Sequence, residues 1–377
     1  MRGIYMDANA TTPLLPEVVA AMQPFWGAEF GNPSSVHRRG QHARSAVDHG
    51  REQVAALLGC QAAEVIFTSG GTESDNLALF GMVGPGDHLI VSAVEHHAVL
   101  HAAAELEGRG AALTHLPVSS DGVVAVEALA AAMRANTKLV SVMLANNETG
   151  VVQPIAALAE ITHAGGALFH TDAVQGAGKL RLEEAVRACD LLSIAGHKMY
   201  APQGTGALYV RRGVALRPML FGGTHERQRR AGTENVAGLA GFGRAAEMAR
   251  EWLAGDGAAD LADLRHRLER GLLERVEATV NGGCVERVAN TANIAFAGVE
   301  AEALVIALDL QGLAVSGGAA CQSGATTPSH VLTAMGMGES RARGSVRFSL
   351  SRMTTEDEVD RAGELVVAAV ARLRALA

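Results

Sequence analysis

Apolar residues gather in short runs along this chain, separated by longer stretches in which they recur at helical spacing. The runs Val65–Thr68, His88–Ser92, Leu139–Leu144, Ala167–Thr171, Leu191–Ala195 and Ala207–Val210 have strand length. Between several of them lie alanine-rich stretches such as Val126–Arg134 and Ile155–His163, which predict helices. Strands that alternate with helices predict crossover units around a mainly parallel sheet. Such a sheet is covered on both faces, so its strands read as unbroken apolar runs. Its crevice lies at the carboxyl ends of the strands, and polar residues that follow the strands are where chemistry is expected.

The pattern changes after the helical segment Gly241–Trp252, where a polar, Gly- and Asp-containing stretch, Ala254–Asp260, predicts a domain boundary. Beyond it come a helix (Asp260–Val276), a strand (Asn293–Phe296), a helix (Glu302–Leu310) and a strand near Ala314–Ser316. A glycine-rich loop, a strand (Val346–Leu350) and an amphipathic helix from Thr355 follow. The expected architecture is an α/β fold. A large domain, residues 13–253, carries the mainly parallel sheet flanked by helices, and a smaller α+β domain, residues 254–377, follows it. A chain of 377 residues exceeds the size at which single cores usually stop growing, which agrees with two domains.

Composition narrows the function. With 48% hydrophobic residues the chain has the content of a large buried core, not of a disordered protein. A net charge of −8 and only 4% aromatic residues argue against a nucleic-acid partner. The first residues, Met1–Asp7, show no apolar targeting segment, and nowhere do about 18 apolar residues run together, so no membrane association is expected. Four widely spaced cysteines, with no C-x-x-C pair, suit a reducing cytoplasm. Cys60, Cys189 and Cys284 have apolar or small neighbours and read as packing or surface residues.

Chemistry is concentrated after the strands. Ser193-Ile-Ala-Gly-His-Lys198 puts a lysine and a histidine at a glycine turn just past an apolar strand. A lysine shielded in a crevice can lose its proton and form a Schiff base. Alone it would read as a solvated loop lysine. Upstream, His170-Thr-Asp172-Ala-Val-Gln175 ends another strand with a carboxylate, the partner a pyridinium nitrogen needs, and an amide that can donate to a ring oxygen. Ser69-Gly-Gly71-Thr72 is a glycine turn before a helix, suited to a phosphate through free N–H groups and the helix dipole. His96 and His97 follow the His88–Ser92 strand, where a ring can stack on a coenzyme. His97 and His101 have the i, i+4 spacing of a metal pair, but no acidic third ligand is apparent and no metal is expected. Asn146-Asn147 supplies short amides after a further strand, and Arg347 lies on a strand, suited to a bidentate grip on an α-carboxylate. Cys321 sits in the small, polar, glycine-rich segment Ser316–His330, whose composition predicts an accessible, mobile nucleophile.

Together these motifs resemble the cysteine desulfurases of the NifS/IscS class, in the fold-type I group of pyridoxal-phosphate enzymes. The resemblance runs from Tyr5-Met-Asp-Ala-Asn-Ala-Thr-Thr-Pro13 almost to the C-terminus. It includes Gly31-Asn-Pro-Ser-Ser, Asn146-Asn147-Glu-Thr-Gly150, Gly196-His-Lys198, Arg230-Ala-Gly-Thr233 and Arg347-Phe-Ser. It implies that Lys198 is the Schiff-base lysine and proton shuttle and that Asp172 is the pyridinium partner. Gln175 would then bind the ring oxygen, and His96 would stack on the ring and serve in acid–base steps. Asn147 and Arg347 would hold the substrate carboxylate. Gly71, Thr72 and His197 would bind the phosphate, joined by Thr233 from the opposite subunit of a homodimer. Cys321 would take sulfur from L-cysteine as a persulfide and pass it to an acceptor or iron–sulfur scaffold protein, leaving alanine. Residues 1–12 are expected to pack near this site.

Two departures from the family pattern stand out. Ala195 replaces a Ser or Cys before Gly196, and the chain ends soon after its last helix, without the extension housekeeping members use to meet a scaffold. A selenocysteine lyase, an aminotransferase or a catalytically silent scaffold subunit are the alternatives. None of them accounts for Lys198, Asp172 and an accessible Cys321 together.

Overall fold

The structure is a computed structural model that describes residues 3–317 and 328–376. Twelve strands are present among them. β1 is Ile4–Tyr5. β2 (Val65–Thr68), β3 (His88–Ser92), β4 (Ala112–Leu116), β5 (Thr137–Ser141), β6 (Leu168–Asp172), β7 (Leu191–Ala195) and β8 (Gly206–Val210) follow. β9 (Ala278–Val280), β10 (Thr291–Phe296), β11 (Leu313–Ala314) and β12 (Ser345–Ser349) complete the set.

Strands β2 to β8 form one sheet in the order β2-β8-β7-β6-β5-β3-β4. β8 runs antiparallel to both its neighbours, and every other pair from β7 to β4 is parallel. The fold is therefore the mainly parallel α/β arrangement that the apolar runs predict. Successive strand residues point to opposite faces, and both faces are dry. Phe67, Ile90, Val140, Leu192 and Tyr209 join one buried cluster with helices Pro16–Trp26, Arg38–Leu58 and Val236–Ala254. Their neighbours Ile66, Leu89, Leu139, Leu191 and Leu208 join another with helices Gly71–Met82 and His97–Gly108.

The expected strand Leu139–Leu144 is corrected at both ends: β5 spans Thr137–Ser141, and Val142–Leu144 run on as a buried segment entering the crevice, the Val142 and Leu144 N–H groups still donating to His170 O and Asp172 O of β6. In an apolar run, a strand and the buried segment that continues from it look the same. β4 had no counterpart in the expected strands because it is an edge strand. Only Leu116 of its five residues is buried, so it lacks the apolar run of an inner strand.

A third buried cluster lies beyond the sheet. The antiparallel strands β12-β10-β9 pack under helices Gly257–Leu273, Ala301–Asp309 and Glu356–Leu376. β1 pairs parallel with β11 and delivers Met6 into this same cluster. Helix Val236–Ala254 is separated by Gly255 alone from the Asp256 cap of helix Gly257–Leu273, so the polar stretch read from the sequence is a helix-to-helix junction. No described helix is long and apolar enough to cross a membrane.

One close approach ties the sheet to the crevice. Gly206 starts β8 opposite Thr68, and a Cβ added there would lie 2.6–2.8 Å from the backbone atoms of Gly70. Only glycine lets the Ser69–Gly71 turn lie against β8. Gly206→Ala is expected to cost about 1–3 kcal/mol through overpacking, read as a lower urea midpoint at unchanged m-value.

Candidate active site

The parallel strands all point their carboxyl ends toward one rim, and a cavity of about 270 Å³ opens there. β6 ends at Asp172, and Gln175 follows in the next turn. β7 ends at Ala195 and leads into the short turn that carries His197 and Lys198. Gly71 and Thr72 begin the helix after β2, while His96 and Asn147 follow β3 and β5. Arg347 arrives from β12, on the other side of the crevice. All nine of these sequence-predicted residues line the cavity. Thr233 is exposed and lies outside it, and Cys321 lies outside the described residues.

Local packing explains the cradle. The Gly71 position has no room for a side chain, because a Cβ there would meet Val174 Cγ2 at 2.7 Å. Thr68 Oγ1 bonds Ser74 Oγ at 2.7 Å, and Glu73 accepts from the Ser69 N–H at 2.7 Å. Arg230 pairs with Glu73 at 2.8 Å, which ties the polar 225–233 segment to this turn. His197 Nδ1 lies 3.2 Å from Thr11 Oγ1.

Burial sets the charges. His96 caps its helix: Nδ1 accepts the Ala98 N–H at 3.1 Å, so the neutral ring carries its proton on Nε2. Burial, then the nearby Lys198 charge and three further histidines, push its pKa down to about 4. His97 packs against His330 and His101 with ring centroids 4.7 and 5.1 Å away. Among the described residues no group of His, Cys, Asp or Glu side chains is arranged to hold a metal ion. Desolvation likewise holds His197 down at about 4 and the fully buried His170 at about 3.

The carboxyls move the other way. Desolvation raises Asp172, opposed by the Val174 N–H, which donates to Oδ1 at 2.8 Å, and by Lys198. Burial and the Asp172 charge raise Asp75 still further. Two carboxyls in one dry site do not both ionise. The proton belongs on Asp75, because Asp172 has the N–H and the ammonium that favour its charge.

Several neighbours were not singled out from the sequence. Lys198 Nζ donates to the backbone oxygens of Asn9 and, at 2.8 Å, Ala10. Gln175 Nε2 donates to Asn9 O at 3.0 Å, and its Oε1 accepts from the buried Lys179 Nζ at 2.6 Å. Arg347 is 2% exposed; one arm donates to Asn147 O at 3.0 Å and the other pairs with Asp7 at 2.7 Å. The buried Arg347 Nε and Asn147 Oδ1 have no hydrogen-bond partner, which leaves a donor and an acceptor beside the cavity. Asn9 and Asp7 lay within the N-terminal motif; nothing in the sequence set Lys179 apart.

Of the other cysteines, Cys60 is pushed up to about 12 and Cys189 higher still by burial, so neither thiol is poised to react. Cys284 is exposed.

A mainly parallel sheet with a lysine and a carboxylate at its carboxyl rim is the frame of a known enzyme class. Residues 4–362 match the aminotransferase class-V family, and the chain belongs to it. Within that family it stands with the cysteine desulfurases. It is 45% identical over 377 residues to cysteine desulfurase IscS of Methanosarcina thermophila, covering 99% of this chain and 93% of that protein. It is 47% identical to a cysteine desulfurase of Cereibacter sphaeroides, covering 100% and 98%. A solved structure described as a NifS-like protein superposes with a TM-score of 0.91 at 34% identity, covering 98% of this chain and 100% of that one.

The buried Glu95 gives a test of these electrostatics. Its Oε1 accepts from Ser92 Oγ at 2.5 Å and from the Met143 N–H at 2.7 Å, yet burial still raises its pKa to about 8 from 4.5. A raised folded-state pKa contributes stability that is complete below the unfolded value and lost as pH rises through the folded one. Glu95→Gln has no such proton to lose. Its melting temperature relative to the parent protein is therefore expected to rise between about pH 5 and about pH 9. A difference that stays constant with pH would mean Glu95 is already ionised in the folded protein.

Proposed function

We propose that the chain is a pyridoxal-phosphate-dependent cysteine desulfurase, converting L-cysteine and the Cys321 thiol to L-alanine and a Cys321 persulfide. The observation that carries this reading is Lys198 and Asp172 lining one cavity with Arg347. The residues present fit the coenzyme. Free N–H groups and Thr72 at a helix start, with His197 close by, suit a phosphate. A buried carboxylate suits a ring nitrogen, and a lysine amine lies in the same cavity. When bound, pyridoxal phosphate supplies an electron-withdrawing ring that acidifies the substrate Cα proton.

The chain's own residues do the rest. Asp172 would hold a proton on the ring nitrogen, and Gln175 would donate an N–H to the ring oxygen. His96, neutral with its proton on Nε2, would stack on the ring and offer that N–H. Asn147 and Arg347 orient the substrate carboxylate. Lys198 Nζ takes the proton from Cα and returns it. The Cys321 thiolate attacks the substrate sulfur: an S–S bond forms as the Cβ–S bond breaks, and the electron pair left on carbon is protonated as alanine forms.

Residues 13–253 act as the coenzyme-binding domain and residues 254–377 as the smaller one, with residues 1–12 crossing to the site. A separate buried cluster that draws on residues 261–370 and Met6 supports that division. Thr233 completes the phosphate site of a second copy in a cytoplasmic homodimer. Its exposure, outside its own chain's cavity, supports that role. The persulfide passes to a sulfur acceptor or iron–sulfur scaffold protein.

Incubation with L-cysteine is expected to give alanine together with one added sulfur atom on the Cys321 peptide, read by mass. Lys198→Ala should lower alanine formation by at least about 10²–10⁴-fold, and Cys321→Ser should abolish the persulfide. Normal alanine production by Lys198→Ala would overturn the reading.

Ala195 is 1% exposed and lines the cavity, so its methyl group occupies a place where a hydroxyl could donate to the phosphate. Ala195→Ser adds at most one hydrogen bond to a charged group, worth about 1.5–3 kcal/mol. The expected outcome is slower coenzyme loss on dialysis with alanine formation nearly unchanged. Faster loss would show that the pocket has no room for the oxygen.

A further inference from the structure

Behind the cavity residues Gln175 and Asn9 lies a buried lysine to which the reaction described above gives no part. Lys179 is 8% exposed, and its Nζ donates to Gln175 Oε1 at 2.6 Å and to Asn9 Oδ1 at 3.0 Å. Gln175 and Lys179 lie four residues apart in a run of tight turns after β6, which places their side chains side by side. Burial lowers the lysine well below its ordinary pKa, with Lys198, Arg347 and Arg352 adding to the effect. A lysine held in such a place loses hydration and side-chain freedom, so its two hydrogen bonds must be what it supplies.

Those bonds have a direction. A glutamine amide has an accepting end and a donating end that can exchange by a half-turn, and only its partners decide which faces where. Lys179 is a donor toward Gln175 and fixes Oε1 on its own side. On the other side lies the Asn9 backbone oxygen, which can only accept and takes one Nε2 hydrogen at 3.0 Å. An amide nitrogen carries two hydrogens. The second one belongs to a side chain that is 4% exposed and lines the cavity.

Asn9 is fixed in the same way. Its Oδ1 accepts from Lys179 and Asn290, while its Nδ2 donates to Asn147 O and Thr291 Oγ1. No bonding position on that side chain is left over, so the backbone oxygen that receives both Gln175 and Lys198 is held still.

We propose that Lys179 is a positioning residue for the coenzyme: acting through Gln175 and Asn9, it keeps an amide N–H of Gln175 turned toward the oxygen of the bound ring. The inference rests on the coenzyme reading given above. A donor at that oxygen favours its deprotonated form, so losing the donor raises the pH at which the bound coenzyme's visible absorption titrates.

The test is that titration on purified, coenzyme-loaded protein, for the parent, Lys179→Met, Gln175→Met and the double variant. Lys179→Met is expected to move the midpoint up by about one pH unit, the size of one hydrogen bond to a charged oxygen. Gln175→Met should give a shift at least as large, and adding Lys179→Met to it should give no further shift. An unmoved midpoint in Lys179→Met overturns the proposal. So does a Lys179→Met shift that persists in the Gln175→Met background, because the lysine would then act by its own charge. If Lys179→Met does not fold, Lys179→Leu removes the same donor with a different shape and is read by the same two comparisons. A parent protein with no visible band after loading would instead sink the coenzyme reading itself.

Discussion

The structure turns on the hydrogen bonds of Asn9. This residue lies between the parallel sheet and the cluster built on β10 and β12, and its polar groups bind to both. Its N–H donates to Ser349 Oγ at 3.0 Å, and its side chain meets Asn290 and Thr291 on one side and Asn147 and Lys179 on the other. Each bond contributes about 1 kcal/mol net, but their geometry matters more than their sum. Apolar contacts are tolerant of sliding, whereas a buried amide with every position filled permits one arrangement. Arg347 arrives from β12 and Lys198 from β7, so their relative position depends on this joint.

The same region concentrates groups that water would otherwise stabilise. Asp75, Glu95, Asp172, His170 and Lys179 are all nearly or fully buried, and each is moved toward its neutral form. Glu95 and Asp75 also accept hydrogen bonds, but Asp172 is the one of the three carboxyls that has a cation, Lys198, beside its hydrogen-bond donor, the Val174 N–H. Neutral neighbours leave that carboxylate in a low dielectric, where its field is stronger than in water. Burial cost across the cluster therefore selects which carboxylate keeps its charge.

The inner strands were legible because both sheet faces are dry, and an apolar run is the direct imprint of that. Their ends were less so: Val142–Leu144 are buried like the strand before them and keep hydrogen bonds to β6, yet lie beyond the end of β5. β4 was missed for the opposite reason, since an edge strand with Thr114 and His115 partly exposed has no such imprint. Most of the nine cavity residues could be read because they lie at a glycine turn or follow a strand, and Arg347 because an arginine is conspicuous within an apolar strand. Lys179 could not, because between Gly178 and Leu180 it looks like any solvated lysine and its burial is a property of the tertiary fold. Asp75 and Glu95 are likewise ordinary carboxylates in sequence. Only packing reveals that they are dry.

Arg347 shows how far residue type can lead before geometry takes over. An arginine on a strand facing a crevice predicts a forked grip on a carboxylate, but in the folded chain one arm of the fork is already occupied by Asp7. Asp7 stands in the place of a carboxylate ligand and keeps the guanidinium paired in a site where an unpaired charge would be costly. The remaining donor, Arg347 Nε, has no hydrogen-bond partner, and Asn147 is adjacent. Asp7 belongs to the N-terminal segment that also carries Asn9, so the residue that holds the arginine ready and the residue that fixes the joint are two positions apart. A displacement of that segment would loosen the arginine and the Lys198 contacts together, which makes residues 7–10 part of the active-site wall.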